Sequence, residues 1–492
     1  VSRRLLCAAL ALGLAAQGSV ARAYDPATTH AGLTTRAALA SRLHKVLSRR
    51  LARPLGLFEP VVLDPATMSD PVRRSLAARL ASLDPAGGYA PEGGTASALS
   101  WVVAGSVIAK TPAERGRNLF YDPARGAGLG GASSSASFGQ SLRELLDGGG
   151  FRELATGTDF NLTGAPATAW LVAPENDVGL VAFHRELAAS ATLAEPAARG
   201  TALARALLAL GGTLAVLEDA GEPAHVRNDF QGAFLKRARG DGGNPFDRGS
   251  AFEWFVADRY GRTAVPAPGP AVSRPTALAF VTAADAQGLA DRTQRHFFSA
   301  GTVPEDAVVD RDTTPAEVMR DARGSLAYGL PRLPRLELAT MGGKRYAKAG
   351  ERRLLAYERV PGRVRFFLDD AVYADTAKAL LPEIGAYATG LIDHLFRADL
   401  ELAVEDGAVK VRVSGARGAA TGRVRVLVED ARGRRSELGV VALAADGAVS
   451  AGAVSIPGGA LPAGTRRIAA ALVGQDAAGE LVAVAEAAPP RP

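Results

Sequence analysis

The stretch LALGGTLAVLEDAGEPAHVRNDF, residues 208–230, sets an apolar helix against a turn that carries charge. Leu203, Leu207, Leu208, Leu210, Leu214 and Leu217 cover more than one stripe of a helix over Thr201 to Asp219, so that helix is expected to be buried on several sides. Gly221 and Pro223 stop it. Glu218 and Asp219 therefore fall at its C-terminus, where the macrodipole already leaves partial negative charge and a cation is called for. Asp219 and His225 are six apart, which on one continuous helix would point them to different sides. The break at Gly221-Glu222-Pro223 lets the chain turn back and place His225 beyond the helix end. A carboxylate and an imidazole facing one cavity suit Zn²⁺. The plainer alternative is a capped helix end with Asp219 paired to Arg227.

Outward from this stretch, the elements from Thr34 to about Asp399 read as helical. Thr34-Thr35 is expected to cap a helix through Leu51, with Leu39, Leu43, Val46 and Leu47 facing the core. Pro71 to Leu83 reads as a second helix, and Thr376 to Phe396 as another, bent near Pro382. After about Glu401 the hydrophobic period drops to two. Short strands are expected at Leu402 to Val404, Val409 to Val413, Val424 to Val428, Val440 to Leu443, Ile468 to Leu472 and Leu481 to Val484, with Asp406-Gly407 as a hairpin turn. The expected fold class is thus mainly α, followed by a small C-terminal β-sandwich. The division is a segment 1–23, a helical domain over 24–400 and an accessory β domain over 401–492.

Residues 1–23 have the parts of a secretory signal peptide: Arg3-Arg4, an apolar run from Leu5 to Ala16, and a small-residue cleavage site at Ala21-Arg22-Ala23. The expected product is secreted or periplasmic and begins at Tyr24, and no later segment reads as a membrane span. The only cysteine, Cys7, lies in the signal, so disulfides and thiolate metal ligands are excluded from the mature chain. The formal charge of +6 loses three arginines with the signal and stands near +3, a weak basis for binding nucleic acid. Basic runs at Lys236, Arg237 and Arg239, and at Lys344, Arg345, Lys348, Arg352 and Arg353, read as solvated faces.

Other motifs fail on context. Gly126 to Gly131 fits GxGxxG, but neither a strand before it nor a helix after it is evident. No GxSxG elbow, P-loop or HExxH helix is present. His44, His296 and His394 read as structural, and Trp101, Trp170 and Trp254 as core.

The 208–230 stretch resembles the zinc-dependent phospholipase C family, which shares its helical fold with fungal single-strand nucleases. Thr29-His30, the segment Asn118-Leu119-Phe120-Tyr121-Asp122-Pro123, Ser250-Ala-Phe-Glu253-Trp and the Thr376 to Phe396 helix fit in the same order. The resemblance implies three zinc ions in a cleft and hydrolysis of a phosphodiester or phospholipid by a metal-bound hydroxide. It implies that His30 and Asp219 share one metal with the Tyr24 terminus, that Asp219 bridges to a second and is the catalytic carboxylate, and that His225 and Glu253 hold the third.

The chain departs from that pattern at several positions. Leu119, Ala215 and Gly249 stand where the family places metal histidines, and the stretch upstream of FYDP reads Val-Ile-Ala-Lys110-Thr, without the expected acid. Its nearest carboxylate is Glu114. One site would keep only Asp219 and is expected to be empty of metal, with Lys110, nearby in that stretch, as a candidate for the missing positive charge. Three readings follow. The first is a secreted pseudoenzyme that keeps one zinc or none and binds a phosphorylated ligand. The second is a phosphodiesterase with substitute ligands drawn from His184, Glu114, Glu218 and Asp229. The third is a scaffold or adhesion protein acting through the β domain. Nucleic acid as substrate and the oligomeric state stay open.

Overall fold

The computed structural model describes residues 26–67, 94–110, 113–129, 163–229, 250–261, 263–303, 307–308, 337–360, 363–443 and 450–489. The expected signal segment, Tyr24, the expected helix at Pro71 to Leu83 and the basic run at Lys236 lie outside these residues.

The described helices are α1 (Ala31–Ala40), α2 (Leu43–Arg49), α3 (Ala98–Ile108), α4 (Ala167–Leu171), α5 (Leu180–Thr192), α6 (Pro196–Asp219), α7 (Pro223–Val226), α8 (Ala251–Tyr260), α9 (Leu278–Val281), α10 (Leu289–His296) and α11 (Asp370–Leu395). Helix α6 contains the stretch that opened the reading. It is long and apolar enough to cross a membrane by length and composition, yet 89% of its most apolar window is buried inside the protein. It is a core helix, and α3, α5 and α11 pack around it. Its approach to α3 is set by two glycines. A Cβ on Gly211 would collide with the Val102 carbonyl oxygen, and one on Gly105 with the Leu208 carbonyl oxygen. Backbone cannot move aside as a side chain can, so Gly211→Ala is expected to cost about 2 kcal/mol or more. Denaturant unfolding that finds it as stable as the wild type would contradict this packing.

The N-terminal helix differs from its expected form. It starts at Ala31 and breaks at Ser41 and Arg42 before α2. Thr34 and Thr35 are therefore inside it. Thr34 Oγ1 donates to Glu218, and Thr35 Oγ1 bonds back to the Ala31 carbonyl. Burial of His30 beside α6 moves the helix start upstream of the residues with capping chemistry. Leu39, expected in the core, is 49% exposed because α1 ends one residue later. Leu43, Val46 and Leu47 are buried as expected.

A second difference lies between α10 and α11. This span, placed within the expected helical domain but given no element of its own, holds an antiparallel sheet in the order β3-β7-β6-β5-β4, made of β3 (Ala307–Val308), β4 (Glu337–Met341), β5 (Lys344–Ala349), β6 (Arg352–Val360) and β7 (Arg363–Phe367). Gly342 and Gly343, both at positive φ, form the β4–β5 turn, the Gly-Gly hairpin signal that sequence reasoning passed over. Its two faces pack differently. Ala347, Leu355, Tyr357 and Phe366 lie with Phe298 and Val303, while Tyr346 and Ala356 lie with Val372 at the start of α11. The basic run expected to be solvated is partly engaged here: Arg353 pairs with Asp375, Lys344 with Asp369, and the Arg352 guanidinium sits 4.3 Å from the Phe297 ring centroid. Short strands β1 (Pro60–Val62) and β2 (Thr95–Ser97) pair with each other ahead of α3.

The C-terminal β region is built from β8 (Asp399–Glu405), β9 (Ala408–Ser414), β10 (Thr421–Glu429), β11 (Arg435–Leu443), β12 (Ser450–Ser455), β13 (Arg467–Asp476) and β14 (Gly479–Ala487). They form sheets ordered β11-β10-β13-β14 and β12-β9-β8. All six expected strands are present, and β12 is additional. Asp406 and Gly407, at φ 52° and 70°, make the expected tight turn between β8 and β9. In β13 and β14 alternate residues face opposite cores. Ala470, Leu472, Leu481 and Ala483 pack between the sheets, whereas Ala471, Val482 and Val484 join the helical core. Burial on both faces is why these strands read as nearly continuous apolar runs. Arginines fasten the region down. Arg397 clamps Asp476 with bonds of 2.9 and 2.7 Å, Arg199 reaches Glu429 at 3.0 Å, and Arg435 spans Glu429, Glu486 and the Ala191 carbonyl.

Candidate functional site

The C-terminus of α6 meets the start of α1, the end of α3 and the α7 turn at one fully buried polar cluster. His30 lies just before α1 and stands between two carboxylates, with Nδ1 2.5 Å from Glu218 Oε2 and Nε2 3.0 Å from Asp219 Oδ1. Thr34 Oγ1 donates to the other oxygen of Glu218 at 2.7 Å. Lys110, just past α3, brings its Nζ to 3.3 and 3.4 Å from the two oxygens of Asp219 and 3.1 Å from His30 Nε2. Asp219 is paired to Lys110 and His30; the alternative partner, Arg227, instead bonds Thr302 Oγ1 and the Gln294 carbonyl.

The charges follow from this geometry. Burial would raise the Asp219 carboxyl, but the positive charges of Lys110 and His30 outweigh it and hold it down at about 2. Burial and Lys110 push His30 down, yet the Asp219 charge and the hydrogen bonds from Asp219 and Glu218 carry it above its ordinary value. Burial raises Glu218 against its bonds to His30 and Thr34. Two basic side chains, Lys110 and His30, face two acidic ones, Asp219 and Glu218, so opposite charges compensate within the cluster, which makes its burial tolerable.

His225 follows from the Glu222-Pro223 pair. Glu222 is the N-cap of α7, and its carboxylate accepts the His225 backbone N–H at 2.8 Å, with Pro223 at the first helical position. The turn brings His225 against the FYDP segment. The His225 ring stacks on Phe120 at 4.0 Å, its Nδ1 lies 3.3 Å from the Leu119 carbonyl, and its own carbonyl accepts from Tyr121 N–H. Burial, with Lys110 also opposing protonation, drives His225 down to about 4 despite Asp219, so the ring is neutral at physiological pH. Asp122 of FYDP is buried and accepts from Gln294 and from the Ala124 N–H.

Glu253 lies in the first turn of α8, where it and Ser250 form a capping box: Ser250 Oγ takes the Glu253 N–H, and the Glu253 carboxylate takes the Ser250 N–H. Ser250 Oγ also donates to Glu222 at 2.8 Å. Two buried carboxyls thus converge on one serine. Burial lifts Glu222 to about 7, aided by Asp229, and lifts Glu253 well above its ordinary value, aided by Glu222. A small, partly open cleft lies beside them, with Glu222, Ser250, Phe298 and Tyr373 among its walls. Sequence reading missed Glu222; an acidic residue directly before a proline that opens a helix was the available signal.

These donors do not fit zinc as they stand. Among the described residues no group of three or more His, Cys, Asp or Glu is arranged to hold a metal ion. Both ring nitrogens of His30 face carboxylates, and an ammonium stands at the open side of Asp219. Leu119 and Ala215 are buried, placing hydrocarbon where two further ligands were expected. The proposed substitutes are committed elsewhere: Glu218 to His30 and Thr34, Asp229 to the Gly301 N–H, and His184 to Glu480 of β14 at 2.8 Å. The Glu114 side chain and Tyr24 lie outside the described residues.

No protein family defined from sequence matches this chain, and no curated protein matches it. Among solved structures it shows distant, low-identity resemblance to clostridial alpha-toxins. The alpha toxin of Clostridium absonum matches at 10% identity and a TM-score of 0.25, over 96% of each chain. The alpha-toxin of an avian Clostridium perfringens strain matches at 9% identity and 0.23, over 94% of this chain and 99% of that one.

Proposed function

We propose that this is a secreted protein with a phospholipase C/nuclease-like helical fold, in which a buried lysine has displaced the metal chemistry and a phosphodiester or phospholipid-like ligand is bound without efficient turnover. The observation that carries this reading is Lys110 Nζ, lodged between Asp219 and His30 at the position where the resemblance puts a metal. An ammonium supplies the positive charge that the α6 terminus requires, but it cannot generate hydroxide near neutral pH as a metal does. On this reading His30 and Asp219 are former ligands held as an ion cluster, and Tyr24 no longer has a metal to complete. Metal analysis of the purified, signal-cleaved chain is expected to give less than one zinc per chain, with no hydrolysis of phospholipid or a phosphodiester dye above background. Three tightly held zinc ions would overturn it.

A second reading has one observation in its favour. Glu253 Oε1 is buried without a hydrogen-bond partner among the described groups, and its carboxylate shares Ser250 with Glu222, the residue that caps the His225 turn. A single-metal phosphodiesterase would use Glu253 and His225. Metal-dependent hydrolysis lost in His225→Ala is its required result.

A further inference from the structure

Residues 31–62 carry six lysines and arginines, Arg36, Arg42, Lys45, Arg49, Arg50 and Arg53, against a single acid, Glu59. Arg50 is spent on Asp399 and the Ala398 carbonyl. Lys45 and Arg49, one helical turn apart on α2, are exposed. Seven residues after the end of α2 the chain makes a short 3-10 turn at Gly56–Phe58, which packs against that helix. Leu55 and Phe58, three residues apart at this turn, are 56% and 58% exposed, while Leu57 between them is fully buried. The turn is held rigidly by Gly56 N–H to Arg53 and Phe58 N–H to Leu55. Gly56 has φ +58°, and a Cβ there would strike the His44 ring. His44 in turn lies 6.2 Å from Phe58, ring centre to ring centre. On β1 the outward Val62 is a further 50% exposed. Two large apolar side chains are therefore presented on a fixed turn, beside a helix face that carries only positive charge.

We infer that this surface docks the protein onto an anionic lipid bilayer. An apolar pocket in a partner would need a concave counterpart, and a second copy would bring like charges together. A bilayer asks only for projecting apolar groups at the acyl boundary and cations at the headgroup level. Leu55 and Phe58 supply the first, and Lys45 and Arg49 the second. Nothing in this inference depends on the state of the buried cluster.

The experiment uses the full signal-cleaved chain in cosedimentation with vesicles of pure phosphatidylcholine and of phosphatidylcholine containing 30% phosphatidylglycerol. Binding is expected to the anionic vesicles, weakening as salt is raised. Charge near such a surface contributes roughly fivefold in affinity per residue, so Lys45→Glu/Arg49→Glu should lose at least 25-fold. Leu55→Ser/Phe58→Ser should lose binding as well, with an unchanged unfolding midpoint because both side chains are solvent-facing. Absence of binding to anionic vesicles, equal binding to neutral ones, or binding indifferent to both double variants would each overturn the inference. So would a concentration-dependent dimer abolished by the same variants, which would assign the surface to a second copy.

Discussion

Lys110→Met is expected to lower the stability of the folded protein by about 3–5 kcal/mol, the cost of leaving one member of a buried ion pair behind. Asp219 would keep only His30, and its second oxygen would face methionine carbon in place of an ammonium at 3.3 Å. The pairing itself is isolated by a cycle. Asp219→Asn combined with Lys110→Met removes both charges, and the double variant is expected to recover a large part of the loss. Additive losses in denaturant unfolding would mean that Lys110 stabilises by packing alone. The pH dependence has a defined sign. Asp219 is held at about 2 in the folded state against 3.8 when exposed. Its contribution, roughly 2 kcal/mol by this shift, is fully present above pH 4 and is lost as pH falls toward 2. Lys110→Met should show much less of that acid dependence.

Glu222→Gln is expected to raise stability at pH 8 by on the order of 2–3 kcal/mol and to remove the loss of stability that Glu222 causes between pH 4.5 and 7. Glu222 titrates at about 7 in the folded protein, against an ordinary value of 4.5. A carboxyl whose folded pKa is raised favours folding while protonated, so stability is full below 4.5 and declines as pH rises through 7. The amide carries no charge to bury. It can still accept the His225 N–H through its oxygen and donate to Ser250 Oγ. His225, held at about 4, works in the opposite direction: it stabilises the fold as pH rises from about 4 to 6.5. The wild type is therefore expected to be most stable in a band near pH 5–6, and the variant to keep rising or level off beyond it. Equal slopes for the two proteins between pH 6 and 8 would show that Glu222 is already ionised in the fold.

Much of the architecture could be read from pattern alone because it follows local periodicity. Helix α6 is apolar on every side, and the strands after Asp399 alternate or run apolar according to whether one face or two are covered. The sheet formed by β3 to β7 was hidden by its composition. In β5 and β6, Lys344, Arg345, Lys348, Arg352 and Arg353 interrupt the alternation, so the strands resembled a charged surface and only Gly342-Gly343 marked the turn. The start of α1 was displaced for a different reason. Thr34 has capping chemistry, but it finds a better acceptor in Glu218, 184 residues away.

At the candidate site the sequence by itself determined the demand and the deficit. Two acids at a helix C-terminus need a cation, and Ala215 and Leu119 cannot help bind one. It also marked Gly221 and Pro223 as the end of that helix. Only the tertiary structure decided which cation answers. The contacts of Lys110 with Asp219 and of His30 with Glu218 span 109 and 188 residues. Coulomb attraction and desolvation depend on distance and burial in space, and no local spacing encodes either.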